Sequence, residues 1–277
     1  MSQTRRAPYG TWRSPISADL VVAGARRLGQ VAVDGDAVYW LEGRPEEQGR
    51  VTIVRRAGGG VEDLLPAPYY ARSRVHEYGG GAFTIADGIL YFVNLADQDI
   101  HRLGPGGVPE PITRTDGSRY ADLVVDGTRR RIICIREDHR APGDVVNLIA
   151  AVDLQTGSET TLVEGNDFYA SPRLSPDGRR LAWLTWNHPS MPWDGNELWV
   201  GELDEHGRVR DARRVAGGPR ESIFQPEWSP GGVLHFVSDR SGWWNLYRWD
   251  GRSTDHLIAM EAEFGLPQWQ FGMSTYA

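Results

Sequence analysis

The feature that most constrains this chain is a hairpin signal that recurs along its length. Asp-Gly pairs stand at Asp34-Gly35, Asp87-Gly88, Asp126-Gly127 and Asp177-Gly178, and Gly231-Gly232 is a variant of the same signal. An Asp-Gly pair suits a tight turn, because glycine adopts positive φ freely and aspartate tolerates it. Each pair is therefore predicted to join two antiparallel strands.

Runs rich in β-branched and aromatic residues follow each turn, as expected of strands. The second strands are predicted at Val38 to Glu42, Leu90 to Asn94, Arg131 to Arg136, Leu181 to Thr185 and Leu234 to Ser238, and the third strands at Val51 to Arg55, Asp99 to Leu103, Asn147 to Asp153, Glu197 to Glu202 and Asn245 to Trp249. Four-stranded units that recur every roughly 40 to 50 residues predict an all-β fold, a β-propeller. Only Ser17 to Arg27 has the character of a helix.

The repeats divide the chain into an N-terminal segment, 1–27, and a propeller, 28–277. The predicted blades cover 28–66, 75–115, 117–165, 168–217 and 222–262, and residues 264–277 begin a sixth, with Leu266 to Trp269 as its inner strand. A blade left incomplete exposes unpaired backbone groups. We therefore expect an incomplete ring, a polypeptide that continues beyond Ala277, and self-association through the open propeller edge where it does not.

Charge and composition exclude several classes of protein. The net charge of -7 gives no general basic field, so nucleic acid is not an expected partner. All 30 basic residues are arginine, and without lysine the chain can form neither a Schiff base nor a phosphate-binding loop of the GxxxxGK[ST] type. Cys134 is the single cysteine, and no long apolar run is present. The composition thus predicts a cytoplasmic protein without a membrane partner or a cofactor.

Three stretches are more specific than the repeat. They read RVHEYGGG from Arg74 to Gly81, WNHPSMPWDG from Trp186 to Gly195, and VSDRSGWWNLYR from Val237 to Arg248. The third is shared with TolB-type propellers. Together with the opening Tyr9 to Ile16, the three stretches resemble the prolyl oligopeptidase family, in particular its dipeptidyl and acylaminoacyl peptidase-like members, and the resemblance runs nearly end to end.

The resemblance implies an N-terminal propeller stacked on an α/β-hydrolase domain of the same polypeptide. That domain would carry the Ser-Asp-His triad, and the propeller would admit only small peptides. A hydrolase nucleophile needs G-x-S-x-G at a sharp turn between a strand and a helix. The nearest string, Gly272 to Tyr276, lacks the second glycine. No catalytic residue is therefore expected in this chain, which is predicted to be inactive alone.

The segment around Arg74, His76, Glu77 and Tyr78 is the candidate substrate-binding element. At the mouth of a channel, Glu77 could pair the amino terminus of a peptide and Arg74 could hold a carbonyl or carboxylate group. The alternative is structural: His76 and Glu77 would hydrogen-bond neighbouring blades, and the glycines would relieve crowding near the axis.

A second candidate is the long loop that contains His188, Trp193 and Asp194. It replaces a tight turn and could face the substrate cavity or a catalytic domain, because long loops carry function more often than short ones. Metal binding is not expected. Glu137-Asp138-His139 and His101 match no ligand motif, and the aspartates of the Asp-Gly pairs are explained by turn chemistry.

Three functions follow from these observations. The first is a substrate-gating propeller of a serine peptidase, whose acyl-transfer chemistry would come from beyond Ala277. The alternative is a TolB-like module that binds a protein through a propeller face. A propeller hydrolase of the lactonase type, which needs acidic metal ligands at the axis, is a third, because the fold alone does not decide function.

Overall fold

A computed structural model confirms the all-β propeller. It describes residues 6–11, 14–22, 24–114, 116–140, 143 and 145–277. Within them, five antiparallel sheets of four strands each form the blades, and neighbouring strands along the chain pair with one another. Blade 1 consists of β1–β4, blade 2 of β5–β8, blade 3 of β9–β12, blade 4 of β13–β16 and blade 5 of β17–β20.

The observed strands match the predicted ones to within one or two residues at most ends. Their bounds are β1 Arg27–Asp34, β2 Ala37–Arg44, β3 Arg50–Ala57, β4 Gly60–Asp63, β5 Phe83–Ala86, β6 Ile89–Val93, β7 Ile100–Leu103, β8 Glu110–Pro111, β9 Ser118–Asp126, β10 Arg131–Asp138, β11 Val146–Asp153, β12 Glu159–Val163, β13 Phe168–Leu174, β14 Arg180–Trp186, β15 Glu197–Leu203, β16 Val209–Gly217, β17 Ile223–Trp228, β18 Leu234–Ser238, β19 Asn245–Trp249 and β20 Thr254–His256. Within the predicted helical stretch, a short helix α1 covers Ala18–Val22, and a 3₁₀ turn covers Pro45–Glu47.

The Asp-Gly turns occupy the predicted places. Asp87 and Gly88 join β5 to β6 with φ of 51° and 73°, so both central residues are left-handed. That conformation matches the right-handed twist of the two strands and keeps them paired. The turn residues, identified from the sequence, therefore set the hairpin register.

Large apolar side chains fill the spaces between and within the blades. The first strand of each blade lies nearest the axis, and we call it the inner strand. Tyr120, Tyr169 and Phe224 lie on the inner strands of blades 3, 4 and 5, and each is almost completely buried. The sheets pack face to face around the axis, and each alternate residue of an inner strand points into the neighbouring blade. The core is therefore shared between blades and holds their relative positions.

Three inner strands carry the same irregularity near the axis. Asp122, Ser171 and Gln225 have positive φ of 54°, 51° and 48° and lie where the ladders of β9, β13 and β17 shift register. Such a bulge turns one residue out of the ladder and re-aims its side chain. The Asp122 Oδ2 atom accepts a hydrogen bond from the Ser171 amide at 2.8 Å. The bulges therefore connect one blade to the next.

A guanidinium joins the same axial network. Arg173 lies 3.1 Å from the Asp122 carboxylate and 2.8 Å from that of Glu227. Burial lowers the pKa of such a group, but the two carboxylates raise the pKa of Arg173 above its usual value. Blades 3, 4 and 5 thus meet at one paired cluster of charges.

One side of β1, the inner strand of blade 1, is exposed to solvent. Leu28, Val31 and Val33 of β1 are each about two-thirds exposed. A cavity of about 1130 Å³ separates this side of blade 1 from the C-terminal segment. Residues 264–277, all of which the structure describes, form no strand, so the predicted inner strand Leu266 to Trp269 is wrong. A single parallel bridge joins Phe271 to Gly80 instead.

The described part of the chain contains no helix long and apolar enough to span a bilayer.

Replacing Arg173 by methionine is expected to lower the free energy of unfolding by about 3 to 5 kcal/mol, because it leaves the buried Asp122 carboxylate without its cation. Arg248→Met is the control: Arg248 and Asp255 are each about half exposed and form a surface pair 3.1 Å long. That change should cost no more than about 1 kcal/mol. Urea unfolding measures both, and equal losses would contradict the axial role of Arg173.

Candidate functional site

Both candidate segments lie at one end of the propeller. Residues 74–81 precede the inner strand β5, and residues 187–196 join β14 to β15. In an antiparallel blade, the start of the first strand and the turn between the second and third strands lie at the same end of the sheet. We call this end the loop face.

Residues Arg74 to Gly81 form a compact turn. His76, Glu77 and Gly79 have positive φ of 52°, 61° and 67°, an uncommon run for residues with side chains. A Cβ on Gly79 would lie 2.1 Å from the Ser73 carbonyl oxygen, and one on Gly81 would lie 2.8 Å from the Asp122 amide nitrogen. The glycines therefore allow close backbone approach near the axis.

Charged side chains surround this turn. Glu77 Oε1 accepts a hydrogen bond from Arg119 at 2.7 Å, and Arg74 lies 3.7 Å from the other oxygen. Arg119 also lies 3.4 Å from the buried Glu137, which in turn accepts a hydrogen bond from the His76 amide at 2.8 Å. The Arg119 hydrogen bond lowers the pKa of Glu77, so this side chain, 68% exposed, presents a carboxylate to solvent.

The structure brings most of the predicted site residues into one cavity. His76 and Tyr78 from the first segment meet His188 and Trp193 from the second. The cavity has a volume of about 170 Å³. Its remaining rings come from β13, β14 and the C-terminal segment, and we call the whole the aromatic pocket: His76, Tyr78, Phe168, Trp186, His188, Trp193, Trp269 and Phe271.

Ring contacts hold the aromatic pocket together. Trp193 and Trp269 have ring centroids 4.4 Å apart, and Tyr78 meets Trp269 edge-on at 5.4 Å. Phe168 stacks on Trp186 at 5.5 Å, because the two residues are cross-strand partners in β13 and β14. The two longer spacings lie in the range preferred by aromatic pairs, and the Trp193–Trp269 spacing lies at its lower edge. Two segments more than a hundred residues apart are thereby fixed against each other.

His76 lies in the wall of the pocket. Its ring is 5.2 Å from Phe168 and 5.0 Å from Phe271, and its Nε2 atom is buried without a hydrogen-bond partner among the described residues. Burial lowers the pKa of His76, and the opposing influence of Glu137 and Asn147 is smaller. The neutral imidazole is therefore favoured over the imidazolium.

Asp194 stabilises its own loop. Its Oδ2 atom accepts a hydrogen bond from the Met191 amide at 3.0 Å, and its amide donates to the Met191 carbonyl at 2.9 Å. Asp194 is exposed and is not part of the pocket wall. Ser274, the serine of the incomplete nucleophile string, accepts a hydrogen bond from Gln225 at 2.9 Å beside β17.

Sequence reasoning missed Arg119, Phe168, Trp269 and Phe271. Phe168 could have been found, because the strand register predicts that it faces Trp186. The other three contact the site through tertiary structure alone. In the part of the chain that the structure describes, no group of three or more metal-ligating side chains is placed to hold an ion.

No family model matches the chain, and no curated protein does either. Among solved structures, a puromycin-hydrolyzing peptidase of Mycobacterium tuberculosis is 42% identical, with a TM-score of 0.86 over 96% of this chain. A second, described as puromycin hydrolase, is 41% identical with a TM-score of 0.87 over 98% of this chain.

The chain spans 44% and 45% of the lengths of these two proteins. A TolB-type protein from Agrobacterium tumefaciens is 15% identical, with a TM-score of 0.53 over 73% of this chain and 66% of its own, and shows the fold alone. The resemblance predicted from the sequence motifs is therefore confirmed over nearly the entire chain.

Gly79→Ala is expected to destabilise the protein strongly, because the added methyl group collides with the Ser73 carbonyl. Gly49→Ala is the control: Gly49 also has positive φ, 79°, but a Cβ there meets nothing within 4 Å. The control should lose about 1 to 2 kcal/mol from backbone strain alone. Gly79→Ala should lose at least about 2 kcal/mol more by chemical denaturation. Equal losses would show that the close approach is unimportant.

The partly buried His76 predicts a pH dependence of stability. Its pKa is lower in the folded state, so the unfolded chain binds the proton more readily, and stability falls as the pH drops below the unfolded value near 6.5. Between pH 7.5 and 5.5, the free energy of unfolding of the parent, the chain without substitutions, should fall by about 1 kcal/mol more than that of His76→Asn. His206→Asn, in an exposed turn, should behave like the parent. A parent and His76→Asn with the same pH profile would contradict this.

Proposed function

We propose that this chain, a β-propeller of the prolyl oligopeptidase family, is the substrate-gating part of a serine peptidase that hydrolyses small peptides. The observation that carries the proposal is the 42% identity to a puromycin-hydrolyzing peptidase over 96% of the chain. It is supported by the loop face, where the two segments that resemble the family meet around one pocket.

The catalytic groups would come from an α/β-hydrolase domain of the same polypeptide. Hydrolysis by such a domain is acyl transfer: a serine activated by histidine attacks the carbonyl, and backbone amides stabilise the oxyanion. The chain spans less than half of the neighbouring peptidases, a length that leaves room for such a domain in them. Our proposal assigns this chain no part in bond cleavage.

Gating would follow from the rigidity of the blades. The inner strands are connected by Asp122 and Arg173, and the loop-face segments are fixed by ring contacts. A rigid cover restricts a cavity beneath it to molecules that pass between the loops, so large folded proteins would be excluded and short peptides admitted.

Glu77 is the proposed anchor for the amino group of the substrate. Its carboxylate can accept about four hydrogen bonds, and the two neighbouring arginines leave part of this capacity facing solvent. A charge-assisted hydrogen bond from an ammonium group would use the remainder. Arg119 and Arg74 would then hold Glu77 ionised and in place.

The proposal is tested with the protein translated from the natural reading frame to its stop codon. We expect it to hydrolyse aminoacyl p-nitroanilides, and the 277-residue chain alone to be inactive. In the longer protein, Glu77→Gln should raise KM about tenfold for substrates with a free amino group, the loss of one charge-assisted hydrogen bond. N-acetylated substrates should be unaffected.

Glu62→Gln is the matched control, because Glu62 is also an exposed carboxylate, paired with Arg55 at 2.7 Å on blade 1. It should leave KM unchanged. A reading frame that stops at Ala277, or a longer product without hydrolytic activity, would refute the peptidase proposal. The TolB-like alternative, a module that binds a protein partner, would then be favoured.

A further inference from the structure

We propose that the aromatic pocket is a subsite for one aromatic side chain of the substrate, so that the propeller selects peptides or aminoacyl compounds that carry an aromatic ring. This inference rests on the proposed function, because it assumes that the loop face meets the substrate. Its evidence is the size, chemistry and position of the pocket.

The pocket has room for a single ring. Its volume is about 170 Å³, below the roughly 300 to 1,000 Å³ typical of clefts that enclose a drug-sized ligand. A whole peptide therefore does not fit, but one side chain does. The rest of the substrate would remain outside, on the loop face.

The chemistry of the wall favours an aromatic occupant. Of the described residues that form the wall, none carries a carboxylate or guanidinium group. Trp193 and Trp269 stand at 43° to each other and Tyr78 meets Trp269 at 66°, so the rings of the wall are inclined to one another rather than parallel. A ring placed among them gains edge-to-face contacts that an aliphatic side chain lacks.

The position of the pocket supports the same conclusion. Tyr78, Met191 and Trp269 at its rim are between 41% and 55% exposed, so the entrance is open to solvent. Tyr78 follows Glu77 directly, and consecutive Cα atoms are about 3.8 Å apart. The pocket and the proposed anchor for the amino group thus belong to the same turn of the chain.

The pocket is tested by ligand-detected NMR titration of the 277-residue chain with neutral, non-hydrolysable probes. N-acetyl-L-phenylalaninamide should bind up to about tenfold more tightly than N-acetyl-L-leucinamide, which has a similar size but no ring. Trp193→Ala should weaken binding of the aromatic probe about tenfold. Trp243→Ala is the control, because Trp243 is a 40% exposed tryptophan outside the pocket, and it should bind like the parent.

Tyr78→Ser provides a second variant, at a side chain that is 55% exposed and lies outside the core. It should also weaken the binding of the aromatic probe several-fold. Equal binding of the two probes, no binding of either, or equal losses in Trp193→Ala and Trp243→Ala would overturn the subsite. Both probes lack an amino group and a scissile ester or anilide, so this result is independent of Glu77 and of hydrolysis. Failure of the subsite is thereby distinguished from failure of the peptidase proposal.

Discussion

The Asp122 carboxylate is the contact on which the arrangement of the blades depends. It accepts hydrogen bonds from the Ser171 amide and from Arg173, and the backbone amide of Asp122 donates a hydrogen bond to the Gly81 carbonyl. These groups belong to three successive blades, and Arg173 extends the connection to Glu227 on a fourth. Because a buried carboxylate must be paired, the inner strands can approach one another only in this register.

This axial network determines what the loop face can do. Gly81 ends the segment that carries Arg74, His76 and Glu77, so the position of that segment follows from its contact with Asp122. On the side of blade 3, Glu77 pairs with Arg119 and the His76 amide donates a hydrogen bond to Glu137. On the side of blade 4, the rings of the turn meet the stacked Phe168 and Trp186. One turn therefore contributes the exposed Glu77 carboxylate on one side and two rings of the aromatic pocket, His76 and Tyr78, on the other.

Most of the fold was predictable because its signals are local. The Asp-Gly turns and the runs of β-branched and aromatic residues located the second and third strands, and β18 and β19 have the predicted bounds. Local signals failed at 264–277, where Leu266 to Trp269 has no partner strand to complete a ladder. Phe271 instead pairs with Gly80 at the axis, a contact that no nearby sequence feature announces.

The sequence by itself determined the blades, the absence of lysine chemistry, the resemblance to a peptidase family, and the two segments that carry the candidate site. Only the tertiary structure decided which of the candidate residues line the pocket, which form ion pairs and which stabilise their own loop. It placed His76, Tyr78, His188 and Trp193 in one pocket, paired Glu77 with Arg119, and left Asp194 to stabilise its own loop. The reason is physical: strand and turn preferences depend on neighbouring residues, whereas a pocket depends on how blades distant in sequence close around an axis.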